Sequence, residues 1–232
     1  MTLPLFDLPA DPTVPMVGED ARFPVRRIFC VGRNYAAHAR EMGAEPDREA
    51  PFYFTKSPWA ICPSGAAIPY PPGTTNCHYE MELVIAIGAP AFRIAAEHAL
   101  SAVLGYACGF DMTRRDLQNA AKDRGRPWDL GKDFENAAVI GPITRARAFG
   151  SIGDKTIRLT QNGIVRQDAV LSDMIFTVPE LIAHLSTFYH LAPGDLLYTG
   201  TPAGVGPVAE GDVLVGTIDG LAPVELTIAA AE

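Results

Sequence analysis

Two glutamates two residues apart, Glu80 and Glu82, lie in the stretch Asn76-Cys-His-Tyr-Glu-Met-Glu-Leu-Val-Ile-Ala-Ile87 and are well placed for chemistry. Side chains alternate across a strand. A strand over 78–87 puts Tyr79, Met81, Leu83, Ile85 and Ile87 on one wholly apolar face, with His78, Glu80, Glu82, Val84 and Ala86 on the other. The first face is core. The second begins with two carboxylates and then turns apolar, which points to a face that protein also covers. Like charges under partial cover repel and take up protons unless a cation sits between them. No basic residue beside them in the sequence is an obvious partner, so a divalent metal is the natural candidate. A strand that simply begins in solvent, with both glutamates hydrated, is the other reading.

His38 and Glu41, spaced i, i+3, share one face of a short predicted helix, close enough for the carboxylate to orient the imidazole. The same spacing also fits a solvated helix face. Asp111 ends a small-residue strand, Gly105-Tyr-Ala-Cys-Gly-Phe110, beside a turn, which is a good position for a site. Lys132 lies in a long irregular segment, Arg126 to Pro142, with Trp128 and Phe134. Long segments of this kind in compact domains are more often functional than idle.

The elements that position these residues read as follows. Residues 1–24 carry five prolines and no sustained periodicity and are expected to form an N-terminal arm with one edge strand, followed by a domain over 25–232. Arg27 to Val31 is a strand, and Asn34 is placed to cap a helix from Tyr35 to Met42 closed by Gly43. With Ala36, Ala37 and Ala39 that helix offers little apolar area for docking, so it reads as a loosely held, movable element, followed by a polar connection. Phe52 to Lys56 is a second strand, and Ile94 to Val103 an Ala-rich helix. Thr113 with Asp116 resembles a capping box that opens a helix to about Arg124, on which Gln118 lies. Asn162-Gly163 between two apolar runs marks a type I′ hairpin. Pro179 suits the first turn of a helix running to about His190, and Asp195 to Thr199 is a strand before the turn Gly200 to Pro207. That turn lacks the Gly-Lys-Ser/Thr of a phosphate loop.

A chain of 232 residues that is 48% hydrophobic and 20% charged can bury a sizeable core. Its formal net charge of -8 argues against nucleic acid or an anionic membrane as a main partner. Cys30, Cys62, Cys77 and Cys108 are widely spaced, form no Cys-x-x-Cys, and read as reduced core residues of a cytoplasmic protein. No run of eighteen apolar residues suggests a membrane span.

Several separated stretches resemble one family. Val31-Gly-Arg-Asn-Tyr-Ala-Ala-His-Ala-Arg-Glu41, His78-Tyr-Glu-Met-Glu-Leu83, Gly109-Phe-Asp-Met-Thr-Arg-Arg-Asp116, Gly131-Lys-Asp-Phe134, Ser172-Asp-Met-Ile-Phe176 and Tyr198-Thr-Gly-Thr-Pro-Ala-Gly-Val-Gly206 are similar to the fumarylacetoacetate hydrolase family and its acylpyruvase members. The resemblance implies a mainly β fold with peripheral helices (α+β), a mixed sheet rolled into a barrel-like core, and a homodimer. It implies Mg2+ or Mn2+ bound by Glu80, Glu82 and Asp111, and a catalytic set of His38 and Glu41 on a lid helix with Lys132 reaching a substrate oxygen. Arg33, Gln118 and Thr201 are implied in substrate binding. The implied reaction is metal-dependent hydrolysis of a carbon–carbon bond in an acylpyruvate, with fumarylpyruvate cleaved to fumarate and pyruvate. A general acylpyruvase, an oxaloacetate decarboxylase, an isomerase or decarboxylase of a dioic keto acid, and a non-catalytic keto-acid binding protein are the alternatives. A second carboxylate on fumarylpyruvate requires a cation at the outer end of the pocket, for which Arg33, Arg115, Arg124 and Arg126 are candidates.

Overall fold

The computed structural model describes residues 5, 7, 9–41 and 50–232. It opens with β1 (Thr13–Pro15) and β2 (Arg22–Pro24), paired antiparallel. This hairpin carries Val14 and Phe23 into the core, so the expected arm holds two strands where one edge strand was expected. β3 (Arg27–Gly32), α1 (Ala36–Glu41), β4 (Phe52–Lys56), β5 (Ile61–Pro63) and β6 (Ala66–Pro69) follow. The last residue expected in the lid helix, Met42, its closing Gly43 and the polar connection up to residue 49 lie outside the described residues.

Next come β7 (Cys77–Tyr79), β8 (Met81–Ile87), α2 (Ala96–Ala99), β9 (Val103–Asp111), β10 (Thr113–Arg114), α3 (Arg115–Asp123) and α4 (Asp129–Lys132). β11 (Ala138–Ile140), β12 (Thr144–Arg145) and α5 (Ala146–Phe149) lead to the hairpin of β13 (Thr156–Gln161) and β14 (Ile164–Val170). α6 (Val178–Phe188), β15 (Asp195–Tyr198), β16 (Gly206–Pro207), β17 (Val213–Ile218) and β18 (Val224–Ala229) complete the chain.

The main sheet is mixed, in the order β4-β3-β15-β8-β9-β11-β5 with β12 also on β9, and curls into a half-barrel. A five-stranded sheet, β14-β13-β17-β18-β6, and a small one, β10-β7-β16, accompany it. This is the mainly β, barrel-like architecture expected. β8 sits at its centre with every residue buried, which is why it reads as a continuous apolar run after Glu82.

Four local expectations are corrected. The strand expected over 78–87 breaks at Glu80: β7 pairs with β10 and β16 in the small sheet, whereas β8 pairs with β9 and β15 in the large one. The helix expected from Ile94 is a single turn, because the chain passes through a 3-10 turn into β9. No capping box opens α3. The Thr113 hydroxyl donates to Asp111 O, and Asp116 instead accepts from the Thr74 hydroxyl at 2.6 Å and Thr75 N–H at 3.1 Å. Asn34, expected as a helix cap, donates from Nδ2 to Phe176 O and Thr199 O and accepts the Phe176 N–H, so it ties the start of α1 to two distant loops.

The Asn162-Gly163 turn is as expected, with positive φ at both residues, 54° and 76°. Asp212 secures it, accepting from Asn162 Nδ2 at 2.7 Å, Gln161 Nε2 at 2.6 Å and Ala209 N–H at 2.7 Å. Burial pushes the Asp212 carboxyl up, but these hydrogen bonds together hold it below the ordinary aspartate value. A depressed folded-state value contributes stability above the unfolded value, and the contribution is lost as pH falls through the folded one. Asp212→Ala is expected to cost about 1–3 kcal/mol at neutral pH, read as a lower midpoint in thermal unfolding, and this deficit should shrink in acid. An unchanged midpoint at neutral pH would remove Asp212 from the stabilising set.

Candidate active site

β8 and β9 run antiparallel with Met81 opposite Phe110 and Glu82 opposite Gly109. Asp111 is the next residue of β9, and its N–H donates to Glu80 O at 2.9 Å. Strand register therefore carries Asp111 to the side of both glutamates, with an oxygen from each of the three carboxylates within 4.8 Å of the others. Glu80 is 5% exposed, Glu82 1% and Asp111 0%, so the solvated reading of the strand's start does not hold.

The carboxylates also have the basic partners that the sequence did not reveal. Lys132 Nζ donates to Glu80 Oε2 at 2.9 Å, Asp111 Oδ2 at 2.7 Å and Thr113 Oγ1 at 2.7 Å. Arg115 donates to Glu80 Oε1, and Lys56 Nζ lies 2.8 Å from Asp111 Oδ1. Lys132 reaches this position because α4 closes directly on α3: a Cβ on Gly131 would stand 2.8 Å from Gln118 N. The ammonium of Lys132, expected to reach a substrate oxygen, lines the cleft while holding two carboxylates and a hydroxyl.

Electrostatics divides the carboxylates. Burial pushes Glu80 up, but Lys132 and then Arg115 outweigh it and hold its carboxyl well below the ordinary range. Burial pulls Lys132 down, and Asp111 and Glu80 more than restore its charge. Among the described residues no cation pairs with Glu82, which accepts the Gly200 N–H at 2.7 Å. Burial first, then Asp111 and Glu80, push the Glu82 carboxyl well above the ordinary range. Asp111 Oδ1 accepts no hydrogen bond despite the nearby Lys56. Three buried hard-oxygen donors, one of them short of positive charge, suit a divalent cation of the Mg2+ or Mn2+ kind.

α1 turns His38 inward, 7% exposed, with Nδ1 3.2 Å from Glu41 Oε2. Glu41 is held in turn by the Gly204 N–H, 3.1 Å from each carboxylate oxygen. An ionised Glu41 accepts the Nδ1 proton and leaves a lone pair on Nε2, the tautomer a base needs. Gly204 has φ +96°, and a Cβ there would meet Arg166 O at 2.1 Å, so glycine is required to aim this N–H at α1.

One cleft joins His38, Glu80, Glu82 and Lys132 with Arg33, Gln118 and Thr201, and Phe52, Phe54 and Trp128 line the same cleft. The Thr201 hydroxyl donates to Met81 O and accepts from Gln167 Nε2, both at 2.8 Å. Of the arginines considered for a distal carboxylate, Arg115 is 4% exposed and held by Glu80 and Gln118. Arg124 and Arg126 are exposed and outside the cleft lining, which leaves Arg33.

Two residues escaped the sequence reading. Lys56 had a signal: strand alternation puts it on the same face as Phe52 and Phe54, which line the cleft. Gln167, fully buried on β14, accepts Met81 N–H at 3.0 Å and donates to Thr201 and Pro202 O. It staples the Thr199–Gly206 turn to the break before β8, and nothing local in the sequence marks it.

Known proteins share this arrangement of chain. Residues 27–229 match the family described as fumarylacetoacetate (FAA) hydrolase C-terminal. A fumarylpyruvate hydrolase of Ralstonia sp. is 50% identical over 193 residues, 82% of this chain and 100% of that protein. An oxaloacetate tautomerase of Escherichia coli is 39% identical over 199 residues, 85% of this chain and 90% of that protein. The crystal structure of a fumarylpyruvate hydrolase from Pseudomonas aeruginosa in complex with Mn2+ and pyruvate superposes with a TM-score of 0.93 at 45% identity, covering 98% of this chain and 100% of that one. With the family match spanning nearly the whole sheet core and the site motifs in order along it, the chain belongs to the fumarylacetoacetate hydrolase family.

Proposed function

We propose that this protein is a homodimeric acylpyruvate hydrolase that cleaves fumarylpyruvate to fumarate and pyruvate, with Mg2+ or Mn2+ held by Glu80, Glu82 and Asp111. The observation that carries the reading is that Glu80 and Glu82 of the buried carboxylate triad line the same cleft as His38, whose Nδ1 is paired with Glu41. The half-identical fumarylpyruvate hydrolase of Ralstonia supports the choice of substrate.

When bound, the cation supplies Lewis-acid stabilisation of negative charge on the substrate's oxygens. The chain's own residues do the rest. His38, with Nδ1 tied to Glu41, takes a proton at Nε2 from the attacking water. Addition of that water to the carbonyl of the fumaryl group, the one remote from the 2-oxo acid, forms a carbon–oxygen bond. Collapse of the adduct breaks the bond to the methylene carbon, and the electron pair leaves as the enolate of pyruvate. The proton held on His38 then passes to that carbon and completes pyruvate. Lys132 lines the cleft beside Glu80 and Asp111, two of the residues that would hold the cation, and its ammonium would stabilise negative charge developing there. Phe52, Phe54 and Trp128 keep the cleft apolar around these charges, which strengthens them.

The test is catalytic efficiency of the Mn2+-loaded enzyme on fumarylpyruvate, maleylpyruvate, acetylpyruvate and oxaloacetate. Highest efficiency on fumarylpyruvate is expected. Equal efficiency on fumarylpyruvate and acetylpyruvate reduces the assignment to a general acylpyruvase, and oxalate binding without any turnover makes the chain a binding protein. A second reading takes oxaloacetate as substrate; the Escherichia coli relative favours it, as a tautomerisation where the sequence had offered decarboxylation as an alternative. Turnover of oxaloacetate alone would establish it.

A further inference from the structure

We propose that Lys122, at the outer end of α3, pairs with the carboxylate that the substrate carries at the end remote from its 2-oxo acid, and so sets a preference for charged-tail acylpyruvates. The inference rests on the acylpyruvase reading above. Arg115, Gln118, Asn119 and Lys122 are spaced i, i+3, i+4 and i+7 on α3, which makes them one helix face, and all four line the cleft. Their exposure grades along that face: Arg115 is 4% and Gln118 7% exposed, while Asn119 and Lys122 are exposed. The face therefore runs from the floor of the cleft, where Arg115 holds Glu80, to its rim.

The lengths agree. At about 1.5 Å per residue the seven steps from Arg115 to Lys122 span about 10 Å along the helix axis. Three bonds of extended chain span about 3.8 Å, so the six carbon–carbon bonds between the two carboxyl carbons of a seven-carbon acylpyruvate span about 7.6 Å. A substrate whose 2-oxo acid lies at the carboxylate triad thus places its far end near the outer turn of α3.

Charge points the same way. The deep cations are engaged: Arg115 with Glu80, Lys132 with Glu80 and Asp111, and Lys56 with Asp111. Among the described residues Lys122 has no carboxylate partner, although it stands on the cleft lining. Arg33 enters from the β3 side, with its guanidinium carbon 5.7 Å from the centre of the Phe52 ring, which gives it a cation–π position of its own. Among the described cations that line the cleft, Lys122 is the one with neither an ion pair nor a ring contact, and it stands on the helix face that already lines the cleft.

The experiment compares kcat/KM on fumarylpyruvate and on uncharged-tail acetylpyruvate for the Mn2+-loaded wild type, Lys122→Ala, Lys122→Arg and Arg33→Ala. The ratio of the two efficiencies is expected to fall about tenfold in Lys122→Ala, through KM, because a contact outside the reacting atoms acts on ground and transition states alike. Lys122→Arg should recover most of the ratio, and added salt should lower the wild-type ratio toward that of Lys122→Ala. An unchanged ratio in Lys122→Ala overturns the inference, and a loss confined to Arg33→Ala transfers the role to Arg33. A wild type that cleaves neither substrate defeats the acylpyruvase reading itself, whereas one that cleaves both with a ratio indifferent to Lys122 defeats this inference alone.

Discussion

Glu82→Ala is expected to abolish the thermal stabilisation that Mn2+ confers on the wild-type protein and to lower turnover by at least about a hundredfold. Glu82 is the decisive member of the triad because Glu80 and Asp111 already have ammonium or guanidinium partners, whereas among the described residues Glu82 has a single backbone N–H as its polar contact, at 2.7 Å. A cation that relieves this deficit binds the folded state alone. At a concentration of about 100 times its dissociation constant it stabilises by about 2.7 kcal/mol. For a domain of this size that corresponds to a rise of about 5–11 °C in the unfolding midpoint. The quantity to compare is the metal-induced shift in each protein, since removing a buried carboxyl changes the metal-free midpoint as well. Glu82→Gln keeps the side chain's shape and its bond to Gly200, and should lose the shift too. The turnover loss exceeds the tenfold to hundredfold typical of outer-shell changes at metal sites. A wild-type shift in Glu82→Ala, or full activity after exhaustive chelation, would rule out metal ligation here.

His38→Ala should give the complementary result. The Mn2+-induced shift stays near that of wild type, while turnover falls by about a hundredfold or more, the usual contribution of a positioned base. Glu41→Gln should fall less, because the amide still accepts the Nδ1 proton but stabilises the charged imidazole poorly. Its second contact, the Gly204 N–H at 3.1 Å, survives as long as the amide oxygen faces it. Unchanged turnover in His38→Ala would leave α1 as surface structure. Loss of the metal shift together with turnover would show that His38 acts through the triad rather than on water.

How far the chain could be read before folding depends on which interactions are local. The faces of β8 follow from alternation alone, so Glu82 and the core opposite it were legible, whereas the break that sets Glu80 between β7 and β8 was not; Asn162-Gly163 dictated its own turn. The His38–Glu41 contact is one helical turn and equally legible. The capping box at Thr113 failed for the opposite reason: a satisfactory local pattern lost to Lys132 and Thr74, partners that no window around Thr113 contains.

Residue types and near-neighbour spacing were thus enough for the two halves of the site, carboxylates on a strand and a His–Glu pair on a short helix, and for their family. Only the tertiary structure decided that the halves share one cleft, that Lys132, Arg115 and Lys56 neutralise two of the three carboxylates, and that Lys122 lies at the rim of that cleft. Alternation and helical repeat are geometry within a single element, so a sequence displays them directly. Charge compensation in a buried site is set by the register of β8 on β9 and by the close approach of α4 to α3. Those depend on contacts between segments far apart along the chain, and they exist only once the sheet has closed.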